Sequence, residues 1–423
     1  MLAIVLAAGK GTRMRSERPK VLHEIFGRPL LEYVLDTLLE IPVKRIALVA
    51  GSGSGQVRDY LGQNGRAVRK TRIFLQKKRL GTGHAVMSVR AALVSEKQDI
   101  LIWPGDMPLL KIDTLREFVR QHRESGADAS VLSAIHPEPS GYGRILRAGG
   151  GFYGIREELD ASEAERRIQE INTGIYLFRP RCLIAALGFL KPRNRKKEYY
   201  LTDTIEYLSL KNHKLRAFPL AVSGEALGIN TQAQLAEAIA TVNRREIQRH
   251  QANGVTFISP EQTFVAPGAR IGKDTVIHPW CYIESGVSIG TGCQIGPYAK
   301  IRKGTQIEAQ AVIGSFVEIA RSRVGRKVVA KHLAYLGDAV IGAGTNVGAG
   351  TITANFDGKQ KNRTHVGKKV LLGSNTVLVA PVKIADGVKT GAGAVITGRT
   401  RHKRGDVLVG VPAKVLKKKT KPA

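Results

Sequence analysis

Residues 264–323 of the chain read FVAPGA RIGKDT VIHPWC YIESGV SIGTGC QIGPYA KIRKGT QIEAQA VIGSFV EIARSR when written in groups of six. An aliphatic residue stands second in every group, and a glycine often follows it. A period of six with three groups to each coil predicts a triangular parallel β-helix, in which the aliphatic residues stack inward. The stretch therefore favours a left-handed parallel β-helix of hexapeptide repeats over a β-sandwich or a chance pattern.

The six-residue period is interrupted twice in the second half of the chain. It resumes as VIGAGT NVGAGT at 340–351 and again as LLGSNT VLVAPV KIADGV KTGAGA VITGRT at 371–400. The first interruption contains the stretch 331–338, which reads KHLAYLGD. Because loops that leave a solenoid usually carry its function, we expect catalytic residues in these interruptions.

The first half of the chain has a different pattern. Short apolar runs at 3–7 and 99–103 alternate with helical stripes, such as the one at 30–39. This alternation predicts a Rossmann-like α/β domain with a mostly parallel sheet, whose ligands lie at the carboxyl ends of the strands.

These patterns predict four consecutive regions. The α/β domain covers 1–227, a linker helix covers 228–252, the β-helix covers 253–412, and a basic tail covers 413–423. A chain of 423 residues is too long for one ordinary core, so two domains agree with its length.

The composition points to anionic small molecules as partners. Lys and Arg total 66 against 35 Asp and Glu, which gives a net charge of +31. Such a charge attracts phosphates, nucleotides, coenzyme A or nucleic acid. Aromatic residues are not interleaved with the basic ones as on a nucleic-acid platform, so we expect no nucleic-acid partner.

The chain shows no sign of a membrane span or a signal peptide. The apolar start at 1–8 is short and runs directly into Gly9, so it predicts a buried first strand. Cys182, Cys281 and Cys293 are odd in number and lack the spacing of a metal site. We therefore expect a reducing, cytoplasmic location.

A glycine-rich turn after this strand predicts a phosphate site. Gly9 and Gly11 allow the backbone to turn sharply and to direct N–H groups at phosphates, while Arg13 and Lys20 add positive charge. A Gly-x-Gly turn alone is weak evidence. The sequence also lacks the Walker and Rossmann patterns, because Met14 stands where the third Rossmann glycine would be.

The whole string at 6–23, LAAGKGTRMRSERPKVLH, resembles the sugar-nucleotide pyrophosphorylases. The resemblance continues, in the same order, through Gln76, LGTGHA at 80–85, PGDMP at 104–108, GYGRI at 141–145, EINTGIY at 170–176, EYYLTD at 198–203 and GIN at 228–230. With the hexapeptide half, the chain resembles the family of bifunctional N-acetylglucosamine-1-phosphate uridyltransferases and glucosamine-1-phosphate acetyltransferases over nearly its entire length.

For the α/β half, the resemblance implies uridyl transfer from UTP to N-acetylglucosamine 1-phosphate in cell-wall precursor synthesis. Arg13 and Lys20 would act on the triphosphate, and Asp106 and Asn230 offer oxygen ligands for Mg²⁺. Asp106 read alone could equally be a turn carboxylate. The other implied substrate contacts are Leu6, Ala7, Ala8, Gly9 and Gly11 in the loop; Gln76, Gly81 and Thr82 at the uracil; and Gly143, Glu157 and Asn172 at the amino sugar, with Asn230 also contacting substrate.

For the β-helix half, the stretch KHLAYLGD matches the family's GHLTYLGD, which implies that His332 is the general base. A histidine suits proton removal from an amino sugar near neutral pH. The implied sugar-phosphate contacts are Arg302, Tyr335, Asn346, Asn355 and Lys361, and the implied acetyl-CoA contacts are Ala349, Ser374 and Ala392. The resemblance also implies a homotrimer with this site between subunits.

Three departures from the family weaken the second activity, and one of them is that the solenoid is shorter before Arg302 by a coil or two. Ala320 stands where the family has a phosphate-binding lysine, and Gly410 stands where it has an arginine near the coenzyme. Because neighbouring strand residues face opposite sides, we expect Arg321 not to replace that lysine, while Lys414 could replace the arginine. One alternative is a pyrophosphorylase, perhaps for another sugar, whose β-helix is only a trimerisation scaffold. Another is a regulatory or nucleic-acid-binding protein on an old enzyme fold.

Overall fold

The structure, a computed structural model, describes residues 1–51, 54–63, 65–220, 223–226 and 228–416. The chain divides into two compact units, Met1–Ala238 and Ile239–Ala423.

The first unit is built on a mixed sheet with helices on both faces. Its strands are β1 (Leu2–Ala7), β2 (Glu24–Ile25), β3 (Arg28–Pro29), β4 (Arg45–Ala50), β5 (Thr71–Leu75), β6 (Ile100–Pro104), β7 (Ala129–Ile135), β8 (Arg144–Ala148), β9 (Gly151–Arg156), β10 (Glu170–Phe178) and β11 (Leu215–Leu220). The helices are α1 (Leu30–Leu39), α2 (Ser54–Gln63), α3 (Gly65–Val68), α4 (Thr82–Met87), α5 (Arg90–Val94), α6 (Ile112–Ser125), α7 (Glu163–Arg166), α8 (Pro180–Phe189) and α9 (Asp203–Leu210). The first unit ends inside a further helix, α10 (Gln232–Ala252).

The main sheet runs in the order β11-β7-β10-β6-β1-β4-β5. The pairs around β1 and β4 and the β11–β7 pair are parallel, whereas β10 is antiparallel to both of its neighbours in this order. The predicted α/β class with a mostly parallel sheet is confirmed. β1 is buried on both faces: Ala3 and Val5 pack into one core, and Leu2 and Ile4 pack into the other.

The second unit is a three-sided parallel β-helix, as the hexapeptide period predicts. The first solenoid sheet contains Thr256–Phe257, Val276–Ile277, Gln294–Ile295, Val312–Ser315, Val329–His332, Asn346–Val347, Leu371–Leu372, Lys389–Thr390, Val407–Val409 and Lys414–Val415. The second contains Phe264–Val265, Tyr282–Ile283, Lys300–Ile301, Glu318–Ala320, Tyr335–Gly337, Ile352–Ala354, Val377–Val379 and Val395–Thr397. The third contains Arg270–Ile271, Ser288–Ile289, Gln306–Ile307, Arg323–Val324, Ala339–Ile341, Thr364–Val366 and Val382–Ile384.

The repeated aliphatic residues fill the interior of the solenoid. Ile277, Ile295 and Ile313 are completely buried on successive strands of the first sheet, and Ile283 and Ile301 are equally buried on the second. Burying apolar surface in this stack supplies the main stabilisation of a fold whose strands are only a few residues long.

The first interruption of the hexapeptide period is not a loop, which corrects the expectation from the sequence. The stretch Val329–His332 lies in the first sheet, and Tyr335–Gly337 follows in the second sheet. The period is disturbed at the corners after Ala320 and Gly337. At each of these corners the spacing from one inward residue to the next is one position shorter than the regular six. A shorter corner shifts the period without removing the chain from the coil.

The second interruption is a true excursion from the solenoid. The chain leaves the second sheet after Ala354 and enters the third at Thr364. Within the excursion Phe356 and Lys361 form an isolated bridge, and Asn362 N donates to Asn355 O at 2.6 Å. The excursion is therefore an ordered extension beside the second sheet.

The domain boundaries inferred from the sequence remain predictions. The helix α10 covers most of the proposed linker, and the contact-based division of the chain falls inside it. Of the proposed basic tail at 413–423, residues 417–423 lie outside the described residues, while Lys414–Val415 pairs antiparallel with Val407–Val409.

None of the helices in the described ranges is long and apolar enough to cross a membrane. Cys182, Cys281 and Cys293 are all free and buried. The cytoplasmic location stays a prediction.

Candidate active sites

The predicted phosphate loop lies at the carboxyl end of β1. Gly105 N, just after β6, donates to Leu6 O at 2.9 Å, which holds the ends of the two strands together. Gly11 has a φ of +63°, and a Cβ there would lie 2.9 Å from Lys20 Cβ. Only glycine allows this close approach without strain, so the loop that contains Gly9 and Gly11 lies directly against Lys20.

The polar side chains at this edge converge on one point. Lys20 Nζ forms an ion pair with the carboxylate of Asp106, and it donates to Asn230 Oδ1 at 2.9 Å. Arg13 Nη2 donates to the same amide oxygen at 2.9 Å. Ile229 N donates to Asp106 O at 2.9 Å, which fixes the segment of Asn230 beside Asp106. Four predicted residues from three distant segments thus form one polar cluster.

The cluster is suited to a divalent cation. Asp106 and Asn230 each present an oxygen to the single ammonium of Lys20, so both oxygens face a position that a positive charge already occupies. A carboxylate and an amide oxygen are hard ligands of the kind that Mg²⁺ takes, with phosphates and water completing its shell. The donor set therefore fits the predicted metal.

The predicted uracil contacts lie together at the start of α4. Gln76 is buried at the end of β5, where its Nε2 donates to Gly81 O at 3.0 Å and lies 3.1 Å from His84 Nδ1. Gly81 has a φ of +102°, and a Cβ there would meet Tyr199 O at 2.5 Å. Thr82 Oγ1 accepts from Leu201 N at 3.0 Å. The LGTGHA and EYYLTD motifs are therefore packed against each other.

The predicted amino-sugar contacts Gly143 and Asn172 are adjacent. Asn172 N donates to Gly143 O at 2.8 Å, and a Cβ on Gly143 would lie 3.5 Å from Asn172 Cβ. Asn172 Nδ2 donates to the Tyr176 hydroxyl at 2.7 Å, while its Oδ1 accepts from Gly174 N at 2.9 Å. Burial raises the pKa of Tyr176, so the hydroxyl stays neutral and fixes the amide.

Glu157 is the third predicted amino-sugar contact. Its carboxylate accepts from Thr202 Oγ1 at 3.1 Å, and burial raises its pKa above the ordinary value. Sequence reasoning missed Thr202 and Tyr176 as supports of the predicted residues. Both lie inside motifs that carry the family resemblance, EYYLTD and EINTGIY, so a signal for them was present.

On the β-helix, His332 and the three predicted acetyl-CoA contacts occupy the same position of successive coils. Each follows an inward residue of the first sheet by two positions, at the corner toward the second sheet. Asn375 N donates to Ala349 O at 2.7 Å, and Gly393 N donates to Ser374 O at 2.8 Å. His332, Ala349, Ser374 and Ala392 therefore form a column, which we call the corner column, and His332 is exposed at one end of it.

A second group surrounds Gly337 on the second sheet. A Cβ on Gly337 would lie 2.5 Å from the Tyr335 hydroxyl and 2.8 Å from Asn355 Nδ2. Asn355 is buried, and its amide donates to Asp338. Two of the predicted acetyltransferase residues, Tyr335 and Asn355, are thus brought together around a glycine that leaves room for both.

Arg321 belongs to this second group, although whether it replaces the missing lysine stays a prediction. Its guanidinium binds both oxygens of Asp338 at 2.7 Å, and these hydrogen bonds raise the pKa of Arg321. The strand ends at Ala320, and Arg321 has a φ of +51° in the shortened corner. The alternation of a strand does not apply there. The ion pair with Arg321 lowers the pKa of Asp338.

The remaining predicted residues are more dispersed. Arg302 Nη1 donates to Glu318 Oε1 at 3.0 Å, next to Tyr335 in the register of the second sheet. Lys361 is exposed in the excursion, and its charge helps to lower the pKa of Asp338. Asn346 lies on the first sheet, where it pairs with Val329 and Leu371. Ala320 is completely buried and offers no polar group.

Comparisons with known proteins agree with both halves. Residues 3–172 match the MobA-like NTP transferase domain, and residues 268–303, 286–321 and 363–398 match the six-repeat bacterial transferase hexapeptide family. A bifunctional protein GlmU from Carboxydothermus hydrogenoformans is 40% identical, with 94% of this chain and 95% of that protein covered. Proteins of the same name from Acetivibrio thermocellus, 38% identical over 94% and 92%, and from Geotalea uraniireducens, 40% over 94% and 94%, are also similar.

The chain covers nearly the full length of these relatives, so the similarity includes both of its domains. The chain is an enzyme that joins a nucleotidyltransferase domain to a hexapeptide acyltransferase domain, and it belongs to the GlmU family.

Proposed function

We propose that the chain transfers UMP from UTP to N-acetylglucosamine 1-phosphate, and that it acetylates glucosamine 1-phosphate with acetyl-CoA. The convergence of Lys20, Arg13, Asp106 and Asn230 beside the glycine-rich loop is the observation that carries the first reaction. The corner column headed by His332 supports the second.

In the first reaction an oxygen of the sugar phosphate attacks the α-phosphorus of UTP. A new phosphorus–oxygen bond forms as the bond to the β-phosphate breaks, and pyrophosphate leaves with both electrons of that bond. The protein must bring two anions together and stabilise a leaving group that gains charge. Arg13 and Lys20 supply positive charge at the loop, and the backbone of Leu6, Ala7, Ala8, Gly9 and Gly11 lies beside the phosphates.

Asp106 and Asn230 would hold Mg²⁺, which supplies charge neutralisation to the phosphates when it is bound. Gln76, Gly81 and Thr82 would recognise the uracil, because the buried amide of Gln76 is fixed by Gly81 O. Gly143, Glu157 and Asn172 would orient the amino sugar, since Tyr176 and Thr202 fix their polar groups.

In the second reaction His332 would take a proton from the ammonium of glucosamine 1-phosphate. The amine nitrogen then attacks the acetyl carbon, and the carbon–sulfur bond breaks as the carbon–nitrogen bond forms. The second proton lost by the nitrogen ends on the sulfur of coenzyme A. Tyr335, Asn355, Arg302, Lys361 and Asn346 would hold the sugar phosphate, and Ala349, Ser374 and Ala392 would lie along acetyl-CoA.

We also propose that the β-helix forms a homotrimer. An exposed apolar ladder supports this proposal: Trp280 stacks on Tyr298 at 6.0 Å between ring centroids, and Tyr298 stacks on Phe316 at 4.9 Å. Leu333 extends the ladder beside His332, and the four side chains are 46–62% exposed. Such a stripe is costly on an isolated chain. Light scattering at micromolar concentration tests the trimer, which a monomer mass would contradict.

A substrate panel tests the two activities together. Pyrophosphate release is measured with UTP and other nucleotides against several sugar 1-phosphates, and thiol release is measured with acetyl-CoA and glucosamine 1-phosphate. We expect both products. Pyrophosphate release without thiol release would favour the alternative of a pyrophosphorylase with a β-helix scaffold, for which the completely buried Ala320 is the supporting observation.

A further inference from the structure

We propose that Asp128, Cys182 and His213 bind a Zn²⁺ ion at a site separate from both reactions. The three side chains come from different elements: Asp128 precedes β7, Cys182 lies in the first turn of α8, and His213 follows α9. Among the residues that the structure describes, this is the one group of His, Cys, Asp or Glu whose ligand atoms gather as a metal would require.

The distances between the ligand atoms fit a tetrahedral ion. His213 Nδ1 lies 3.1 Å from Asp128 Oδ2 and 3.8 Å from Cys182 Sγ, and all three atoms lie within 4.8 Å of one another. Zinc bonds to nitrogen and sulfur imply separations of about 3.3 to 3.6 Å between ligand atoms of a tetrahedron. Small side-chain movements would therefore close the three ligands around one ion.

The arrangement differs from a catalytic triad. In a nucleophilic triad the base uses one ring nitrogen for the nucleophile and the other for the carboxylate. Here the same nitrogen, His213 Nδ1, faces both Cys182 and Asp128. Because the Asp128 oxygen, the Cys182 sulfur and one His213 nitrogen all face the same point, the arrangement fits three ligands around one cation better than a chain of proton transfers.

The surroundings hold the carboxylate in place. Lys214 N donates to Asp128 Oδ2 at 3.0 Å, and Arg179 Nη1 donates to Asp128 Oδ1 at 3.1 Å. Hydrogen bonds of this kind commonly orient metal-binding carboxylates from outside the ligand set. An ionised Cys182 and Asp128 would balance the charge of the ion, and water would complete its coordination.

The ligand types select the metal. A thiolate and an imidazole prefer zinc to magnesium, which takes oxygen ligands. The His213 side chain is 34% exposed, so an ion can reach the site from solvent. Because the ion would join the starts of β7 and α8 to the end of α9, it would stabilise the folded α/β unit increasingly as its concentration rises above the Kd.

The test uses the full chain after treatment with a chelator. Titration with Co²⁺ should give a sulfur-to-cobalt charge-transfer band that saturates at one ion per chain, and Zn²⁺ should displace it while Mg²⁺ should not. Cys182→Ser should abolish the band. Cys281→Ser is the matched control and should keep it, because Cys281 lies inside the solenoid.

His213→Gln serves as a second variant and should weaken Co²⁺ binding more than about 100-fold, since it removes a direct ligand. Zn²⁺ should raise the melting temperature of the wild type and of Cys281→Ser, but not of Cys182→Ser. Uridyl transfer by the variants reports that the fold is intact. A cobalt spectrum without a thiolate band, or one that survives in Cys182→Ser, would overturn the proposal.

Discussion

The two candidate sites of this chain differ in how far their charged side chains are exposed to solvent. In the α/β unit the ion pair of Lys20 and Asp106 is shielded, with side-chain exposures of 14% and 15%. In the β-helix the ion pair of Arg302 and Glu318 is open, with exposures of 40% and 36%. Charges in an open site are screened by water and bind phosphate weakly.

This difference indicates that the two sites become complete in different ways. The nucleotide site needs only the fold of one unit, since its groups come from segments that one sheet brings together. The acyl site lies on the outer face of a solenoid, beside the exposed apolar ladder of Trp280, Tyr298, Phe316 and Leu333. In the proposed homotrimer, a second copy of the chain would cover this open side of the site.

The largest expected effect is the loss of one activity without any change in the other. His332→Ala should lower acetyl transfer about 10²- to 10⁴-fold, the usual contribution of a general base, and leave uridyl transfer unchanged. Thiol release and pyrophosphate release from one preparation give the comparison. His365→Ala, on the third solenoid sheet, is the matched control. Equal losses in the two variants would contradict the role of His332.

The complementary experiment substitutes a residue of the shielded site in the α/β unit. Asp106→Ala should lower pyrophosphate release about 10²- to 10³-fold, because it removes an anionic ligand where charge must be balanced during transfer. Acetyl transfer should remain. Asp113→Ala, an exposed carboxylate in the first turn of α6, should change neither rate. A parallel fall in acetyl transfer would show that the two sites are not independent.

A smaller effect tests whether Arg321 supports the open site. Arg321→Ala removes the bidentate partner of Asp338, so the carboxylate should hold Asn355 less firmly. We expect kcat/KM for glucosamine 1-phosphate to fall about tenfold, the value of one or two charge-assisted hydrogen bonds. Arg321→Lys should recover part of the loss. Arg323→Ala, whose guanidinium pairs with Glu308 on the third sheet, should have no effect.

The smallest effect concerns stability beside the enclosed site. Burial raises the pKa of Asp203 from 3.8 to about 6. A raised carboxyl pKa means that folding opposes ionisation, so the stability cost is absent below about pH 3.8 and complete above about pH 6. A pKa rise of this size corresponds to about 3 kcal/mol for a fully buried carboxyl group, and the partial exposure of Asp203 reduces that value. Asp203→Asn should therefore stabilise the protein by about 1 to 2 kcal/mol at pH 7 and by nothing at low pH.

Thermal melting of Asp203→Asn at several pH values measures this change. Asp113→Asn is the control, since that carboxylate also lies in the first turn of a helix but is exposed. A gain in stability that is equal at pH 3 and pH 7 would exclude the ionisation of Asp203 as its cause.

The sequence predicted the parts of the molecule that depend on local pattern. The hexapeptide period predicted the inward isoleucines, because each group repeats the same local conformation. The motifs around Lys20, Asp106 and Asn230 also predicted a cluster that the fold assembles.

The sequence did not predict features that depend on a single backbone torsion or on distant segments. The left-handed conformation of Arg321 leaves no mark in a composition pattern, so its position beside Asp338 was missed. The spacing of the cysteines argued against a metal site, yet folding brings Asp128 and His213 to Cys182 from separate elements.

Positions along the corner column are separated by a constant distance, because each position belongs to the next coil of the solenoid. Neighbouring strands of the first solenoid sheet lie about 4.8 Å apart, so three coils separate His332 from Ala392 by about 14 Å. In the proposed second reaction acetyl-CoA lies along this corner, so its thioester reaches His332 only if the length of the bound molecule matches the spacing of these coils. Duplication or loss of one complete coil would change the accepted length of the acyl carrier, while the remaining coils would keep the same pattern of inward packing.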